Sequence, residues 1–213
     1  MGHKAILFDL DGTLTDSGEG IMKCAQLSLA HFGIHVEDYR QLRDFVGPPL
    51  DLSFRKHGVP TDRTDEAIAV YRSRYLTVGK FENFPYPGIP EMLERLKALG
   101  YQLYVATSKP EDPSKEIIAH FGLEGYFDRV CGATFDGSRS SKADVIAYLL
   151  ELCGRTEEII MVGDTAFDVT GAKAHDIPCI GVAWGYGSIA DMQEAGATAI
   201  AYTVDELYSL LTK

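Results

Sequence analysis

Short apolar runs alternate with longer amphipathic stretches over most of the chain. The runs are continuous rather than alternating, which is typical of strands buried on both faces of a sheet. They cover residues 5–8, 102–106, 159–162 and 179–183, with weaker runs at 129–131 and 197–201. Two of the intervening helical patterns end at a glycine, Gly100 and Gly154, a common residue just beyond a helix C-terminus. The pattern predicts an α/β fold with a doubly wound parallel sheet and helices on both faces.

Residues 17–86 interrupt this alternation. They contain no convincing β run, show helical spacing, and end at the turn-rich sequence Pro85-Tyr86-Pro87-Gly88. A crossover between two strands is rarely so long. We therefore predict an α/β core of residues 1–16 and 87–213, with an all-helical cap inserted at 17–86. The two junctions between them are expected to act as hinges.

Composition narrows the class of protein. Hydrophobic residues make up 46% and charged residues 24% of the 213 positions, as in ordinary globular proteins. The net charge of −11 disfavours binding to nucleic acid or to an anionic membrane. The apolar runs are too short for a signal peptide or a membrane span. The four cysteines form no C-x-x-C pair, which disfavours zinc or a disulfide framework. We expect a cytoplasmic protein.

Acidic and hydroxyl side chains follow three of the predicted strands. They are Asp9, Asp11 and Thr13 after the first, Thr107 and Ser108 after the second, and Asp164, Thr165 and Asp168 after the third. Ligands of open parallel sheets bind at the carboxyl ends of the strands. Several carboxylates at one edge persist best around a hard cation such as Mg²⁺, which suits phosphate chemistry. Lys142 begins a predicted helix and would balance the charge of a phosphoryl group.

These residues resemble four ordered motifs of the haloacid dehalogenase-like hydrolase superfamily. The segment Asp9-Leu10-Asp11-Gly12-Thr13 is similar to its first motif, and 105–109, Lys142 and 163–168 are similar to the second, third and fourth. The insertion after the first motif resembles the helical cap of the phosphoglycolate phosphatase-like branch. Residues 136–142 resemble a subgroup labelled 5′-nucleotidase or phosphoglycolate phosphatase. The resemblance implies a Rossmann-like core and Mg²⁺-dependent hydrolysis of phosphate monoesters.

The resemblance also implies a chemical role for each motif residue. Asp9 would attack phosphorus to form an aspartyl phosphate, and Asp11 would be the general acid and then the general base. Thr107 and Lys142 would hold the phosphoryl oxygens. Backbone N–H groups would assist them, at Leu10, Gly12 and Ser108.

The metal ligands follow from the same resemblance. Asp9 and Asp164 would bind Mg²⁺ through their side chains, and Asp11 through its backbone carbonyl. Asp168 would touch the ion or orient a metal-bound water, with a purely structural helix acid as the alternative. Lys109 is expected at the surface.

The inserted segment is expected to select the substrate. Residues 45–50 resemble the specificity loop of the phosphoglycolate phosphatase-like branch, and Gly47 and Pro48 would shape a rigid turn there. Arg43 would pair with a carboxylate or second phosphate of the substrate. A solvated helix arginine is the favoured alternative for Arg43.

We predict a phosphatase that acts on a small phosphorylated metabolite of the phosphoglycolate or 5′-nucleotide type, as a monomer or homodimer. One alternative is a phosphoacceptor or regulatory binding protein of the same fold without significant turnover. Another is a phosphonatase, which needs a Schiff-base lysine in the cap, where Lys23, Lys56 and Lys80 lie. A phosphomutase is disfavoured, because mutases tend to carry an apolar residue where this chain has Thr13.

Overall fold

The computed structural model describes residues 4–154 and 158–213, which fall into two compact units. One unit comprises Met1–Thr15 and Pro85–Lys213, and the other comprises Asp16–Phe84. These bounds differ by one or two residues from the predicted junctions. The role of the second unit as a cap stays a prediction.

The first unit contains a six-stranded parallel sheet, as the continuous apolar runs predicted. The strands of the chain are β1 (Lys4–Phe8), β2 (Thr15–Asp16), β3 (Phe84–Pro85), β4 (Gln102–Pro110), β5 (Arg129–Ala133), β6 (Glu158–Gly163), β7 (Cys179–Val182) and β8 (Ala199–Ala201). The order in the large sheet is β5-β4-β1-β6-β7-β8, while β2 and β3 form a two-stranded ribbon. Phe8 at the end of β1 pairs in parallel with Val105 of β4 and Val162 of β6. This register brings the carboxyl ends of the three central strands together.

Each unit has its own helices. Those of the second unit are α1 (Gly18–His31), α2 (Leu50–Lys56) and α3 (Thr64–Tyr75), and those of the first are α4 (Ile89–Ala98), α5 (Glu111–His120), α6 (Lys142–Cys153), α7 (Ala166–Lys173), α8 (Ile189–Ala195) and α9 (Val204–Leu211). Among the described residues, none of these helices combines the length and the apolar character that a membrane crossing requires.

Two apolar clusters form the core of the first unit because successive strand residues point to opposite faces. Ile6 and Phe8 of β1 lie in a cluster with Leu96 of α4, while Ala5 and Leu7 lie in the other cluster, on the α6 side. Both faces of β1 are therefore buried, which explains why its sequence is a continuous apolar run.

The second unit is helical, apart from its ends in the ribbon, and has an aromatic core. The rings of Phe45 and Phe54 pack edge to face with centroids 5.1 Å apart, and those of Tyr71 and Tyr75 are stacked at 5.3 Å. A bidentate ion pair joins Arg74 of α3 to Glu82, with N–O distances of 2.7 and 2.9 Å.

Helix α4 offers a matched test of the core. Leu96 is fully buried, whereas Leu99 just beyond the helix is 59% exposed. We expect Leu96→Ala to lower the free energy of unfolding by about 2–5 kcal/mol, through lost burial and a residual cavity. Leu99→Ala is expected to change it by less than about 0.5 kcal/mol. Denaturant unfolding measures both, and equal effects would contradict the assigned packing.

Candidate active site

The four predicted motifs meet at the carboxyl edge of the sheet. Asp9 directly follows β1, Thr107 lies within β4, and Asp164 directly follows β6. Lys142 is the first residue of α6, whose N-terminus is capped by the Ser141 hydroxyl accepting from the Asp144 N–H. The parallel topology is the reason that residues more than 100 positions apart in the chain converge.

The Lys142 ammonium lies at the centre of this arrangement and is 5% exposed. It donates to Asp9 Oδ1 at 2.6 Å and to the Ala106 carbonyl oxygen at 2.8 Å, and Asp168 Oδ1 lies 2.8 Å away. The ammonium thus forms two hydrogen bonds, and Asp168 Oδ1 adds an ion pair without hydrogen-bond alignment. Burial opposes the charge, but the carboxylates of Asp168 and Asp9 outweigh it and raise the pKa of Lys142.

Asp9, Asp164 and Asp168 form a buried carboxylate cluster. One oxygen of each lies within 4.8 Å of the others. Burial, with the charges of Asp168 and Asp11 in addition, raises the pKa of Asp9 to about 6, although Lys142 opposes the shift. Burial and the charges of Asp168 and Asp9 raise the pKa of Asp164 well above its ordinary value. The protein by itself therefore leaves negative charge here incompletely neutralised.

The cluster fits a divalent cation with oxygen ligands. Asp164 Oδ2 accepts from the Tyr186 N–H at 2.7 Å, a neutral donor, so a cation would supply the charge that Asp164 lacks. Asp168 differs, since its Oδ1 faces Lys142 and its Oδ2 accepts from the Thr165 N–H and hydroxyl at 3.0 and 2.8 Å. Asp9 and Asp164 are accordingly the better side-chain ligands, and Asp168 is placed to hold Lys142 and the start of α7. A backbone ligand at Asp11 stays a prediction.

Two glycines make room for Asp164. Gly12 has a φ of 83°, and a Cβ there would lie 2.2 Å from Asp164 Oδ2. A Cβ at Gly185 would lie 2.3 Å from the same oxygen. The Gly12 N–H donates to the Thr15 carbonyl oxygen at 2.8 Å, and its contact with a phosphate stays a prediction. Gly12 contributes the space beside Asp164 and a left-handed backbone conformation. Phosphate binding by the backbone N–H groups of Leu10 and Ser108 stays a prediction.

Lys109 is buried at 9% exposure, and its expected surface position is wrong. Its Nζ donates to Asp11 Oδ1 at 2.6 Å. Its backbone N–H donates to the Thr107 hydroxyl oxygen at 3.2 Å. The strand β4 continues to Pro110, which directs the Lys109 side chain toward the end of β1 rather than into solvent.

The loop after β7 contributes contacts that sequence reasoning missed. Besides the Tyr186 N–H on Asp164, the Trp184 indole N–H donates to the Thr13 carbonyl oxygen at 3.1 Å. Thr13 itself is fully buried, with its hydroxyl 3.5 Å from Asp164 Oδ1. The loop of residues 183–187 lies at the end of an apolar run. The expectation that ligands bind at the carboxyl ends of strands, which located the aspartates, would therefore have located this loop too.

The predicted specificity residues belong to the second unit. Arg43 is exposed and lies in a 3₁₀ helix, Tyr39–Phe45. Gly47 is exposed and Pro48 is half-buried, both in the bend before α2. Their contact with substrate stays a prediction.

Replacing two aspartates of the carboxylate cluster is expected to change the melting temperature in opposite directions. We expect Asp164→Asn to raise the melting temperature of metal-free protein at pH 7.5, since it removes a carboxyl whose charged form the folded protein disfavours and keeps the acceptor for Tyr186. Asp168→Asn is expected to lower the melting temperature, because breaking a buried ion pair costs about 3–5 kcal/mol. Each kcal/mol lost lowers the melting temperature of a protein of this size by about 2–4 °C. Calorimetry with a chelator measures both.

The pH dependence provides a control for the same pair. A carboxyl whose pKa is raised on folding destabilises the fold only where it is ionised, so this penalty grows as pH rises. The gain from Asp164→Asn should therefore shrink toward pH 4. Melting shifts of one sign in both variants would contradict the assigned electrostatics.

The chain is similar to known proteins over most of its length. The profile of the family described as haloacid dehalogenase-like hydrolase matches residues 6–182. A 5′-nucleotidase from Pseudomonas aeruginosa is 44% identical over 185 residues, which cover 86% of this chain and 84% of the relative. The tyrosine-protein kinase PtkA of Mycobacterium tuberculosis is 40% identical over 209 residues, covering 97% and 72%.

A solved structure is also similar over nearly the full length. The crystal structure of a predicted phosphatase from Clostridium acetobutylicum superposes with a TM-score of 0.94 at 45% identity, covering 98% of each chain. With a family profile that spans all four motifs, this likeness leads to one conclusion: the chain belongs to the haloacid dehalogenase-like hydrolases.

Proposed function

We propose that this protein is a Mg²⁺-dependent phosphatase that hydrolyses a small phosphorylated metabolite through an aspartyl phosphate on Asp9. The observation that carries the proposal is the placement of Asp9, whose Oδ1 is held at 2.6 Å by the buried Lys142 ammonium beside the carboxylate cluster. A nucleophilic carboxylate must be fixed in orientation and kept close to positive charge if it is to approach a phosphate dianion.

The residues around Asp9 divide the work of phosphoryl transfer. Lys142 orients Asp9 and supplies positive charge near the transferring group. Thr107, buried within the neighbouring strand β4, has a hydroxyl suited to a phosphoryl oxygen. Asp9 and Asp164 would hold Mg²⁺, which when bound neutralises phosphate charge and aligns the ester for attack.

Asp11 is the residue proposed to move the proton. Its side chain lies outside the cluster formed by Asp9, Asp164 and Asp168 and pairs instead with Lys109. A carboxyl group held apart from the metal ligands can donate a proton to the leaving oxygen and take one from the attacking water. Two nearby carboxylates thus have separate tasks.

The proposed substrate class comes from the 5′-nucleotidase relative and from the motif resemblance. It comprises 5′-nucleotides and small phosphate esters such as glycolate 2-phosphate. Arg43, exposed in the second unit, is the proposed contact for a second anionic group of the substrate.

Two observations weigh against a phosphonatase. Hydrogen bonds from Lys23 to Glu19 and Glu82 raise the pKa of Lys23, and a protonated amine cannot form a Schiff base. Lys56 Nζ is engaged in an ion pair with Asp44 Oδ2 at 2.6 Å.

Replacing the nucleophile tests the reaction. Asp9→Asn keeps the shape of the side chain but removes its nucleophilic charge, so we expect phosphate release to fall by at least about 10³-fold. Circular dichroism should show an unchanged fold. Phosphate release is measured with Mg²⁺ and with a chelator, which should also abolish wild-type turnover. An active Asp9→Asn variant would overturn the proposal.

The same assay separates the alternatives. A phosphoacceptor module would form a stoichiometric, long-lived aspartyl phosphate with little turnover. A kinase, as the name of the mycobacterial relative suggests for that protein, would transfer phosphate from ATP to a tyrosine peptide. Either outcome without release of inorganic phosphate from monoesters would replace the phosphatase proposal.

Substrate selection is tested by a pair of arginines in one 3₁₀ helix. Arg43→Ala is expected to raise the KM for glycolate 2-phosphate or a nucleotide about 10-fold or more, through loss of a charged contact. Arg40→Ala is the matched control, since Arg40 pairs with Asp38 at the surface. Equal KM values for both variants would place selectivity elsewhere.

A further inference from the structure

The closest charge to Asp11 is an ammonium from a different motif. Lys109 Nζ and Asp11 Oδ1 are 2.6 Å apart, and 5% and 12% of the two side chains are exposed. The Lys109 backbone is anchored as well, because its N–H donates to the Thr107 hydroxyl at 3.2 Å. One residue thus links the first motif, at the end of β1, to the second motif on β4.

The two buried lysines of the site divide the acids between them. Lys142 contacts Asp9 and Asp168, whereas Lys109 contacts Asp11. A buried ion pair is a poor device for stability, since desolvation offsets most of the attraction. Its value here is geometric: the ammonium fixes one oxygen of Asp11 and thereby the direction of the other.

We propose that Lys109 is a positioning residue that holds Asp11 Oδ1, so that Oδ2 is the oxygen that moves the proton. The inference rests on the proposed phosphatase function. In the first step the P–O bond to the leaving group breaks, the Asp9–P bond forms, and the Oδ2 proton passes to the leaving oxygen. In the second step water attacks phosphorus, the Asp9–P bond breaks, and Oδ2 takes one proton from that water, which restores Asp11.

The test compares kcat/KM for two esters that differ in their leaving groups. If Lys109 had only a structural role, its replacement would lower kcat/KM for both esters equally. A p-nitrophenolate leaves without proton transfer, whereas an alkoxide such as that of ethyl phosphate needs a general acid. We expect Lys109→Met to lower kcat/KM for ethyl phosphate about 10²-fold, and for p-nitrophenyl phosphate less than about 10-fold. Asp11→Asn should show the same selectivity, and the double variant should lose little more.

Two further variants keep the test decisive. Lys115→Met is the matched surface control, since Lys115 pairs with Glu111 at 52% exposure, and it should leave both substrates unaffected. Lys109→Gln retains a donor for Asp11 if the methionine variant does not fold. The Lys109→Gln variant should also lose more kcat/KM for ethyl phosphate than for p-nitrophenyl phosphate, but the difference should be smaller than in Lys109→Met.

The outcomes separate this inference from the function on which it rests. If the wild-type protein hydrolyses neither ester, the proposed function fails. If it hydrolyses both and the Lys109 variants lose them equally, only the positioning role is overturned, and Lys109 is then a phosphate contact or a packing residue. A selective loss of the alkyl ester supports the positioning role.

Discussion

The active-site edge depends on one buried ammonium. Lys142 joins the end of β1, through Asp9, to β4, through the Ala106 carbonyl oxygen, and to α7, through Asp168. A lysine can be buried in this way only if it is hydrogen-bonded and its charge is compensated. The helix that carries it is fixed in turn by its Ser141 cap. The preceding loop is fixed by Arg139, which binds the Gly132 carbonyl oxygen and Glu111.

Negative charge at this edge exceeds what the two lysines compensate. Lys142 pairs with Asp9 and Lys109 with Asp11, whereas Asp164 accepts from the neutral Tyr186 N–H and has no ion pair among the residues that the structure describes. Burial and like charges raise the pKa of both Asp9 and Asp164. Such an arrangement is unfavourable for folding, and perturbed carboxyls in a buried cluster are typical of functional sites. Under the proposed function, a bound cation would compensate this local loss of stability.

Relatives that share this fold have names that indicate different activities. Relatives named for nucleotide hydrolysis and for protein phosphorylation match most of this chain at similar identity. A shared fold therefore does not by itself identify the substrate. The contacts of Lys142 with Asp9 and of Lys109 with Asp11 support the proposed reaction. The substrate must be sought in other residues, among which Arg43 is the proposed contact.

The sequence by itself determined the parallel α/β core and the convergence of Asp9, Thr107, Asp164 and Lys142. Strands buried on both faces must be continuously apolar, and their carboxyl ends share one edge, so both features follow from local pattern and topology. Only the tertiary structure decided the contacts of individual polar groups. The sequence predicts Lys109 in solvent, but its Nζ donates to Asp11, 98 positions away in the sequence. The Gly12 N–H donates to the Thr15 carbonyl oxygen. The Asp168 carboxylate pairs with Lys142 and accepts from Thr165. These contacts depend on strand register and side-chain direction, which position in the sequence does not specify.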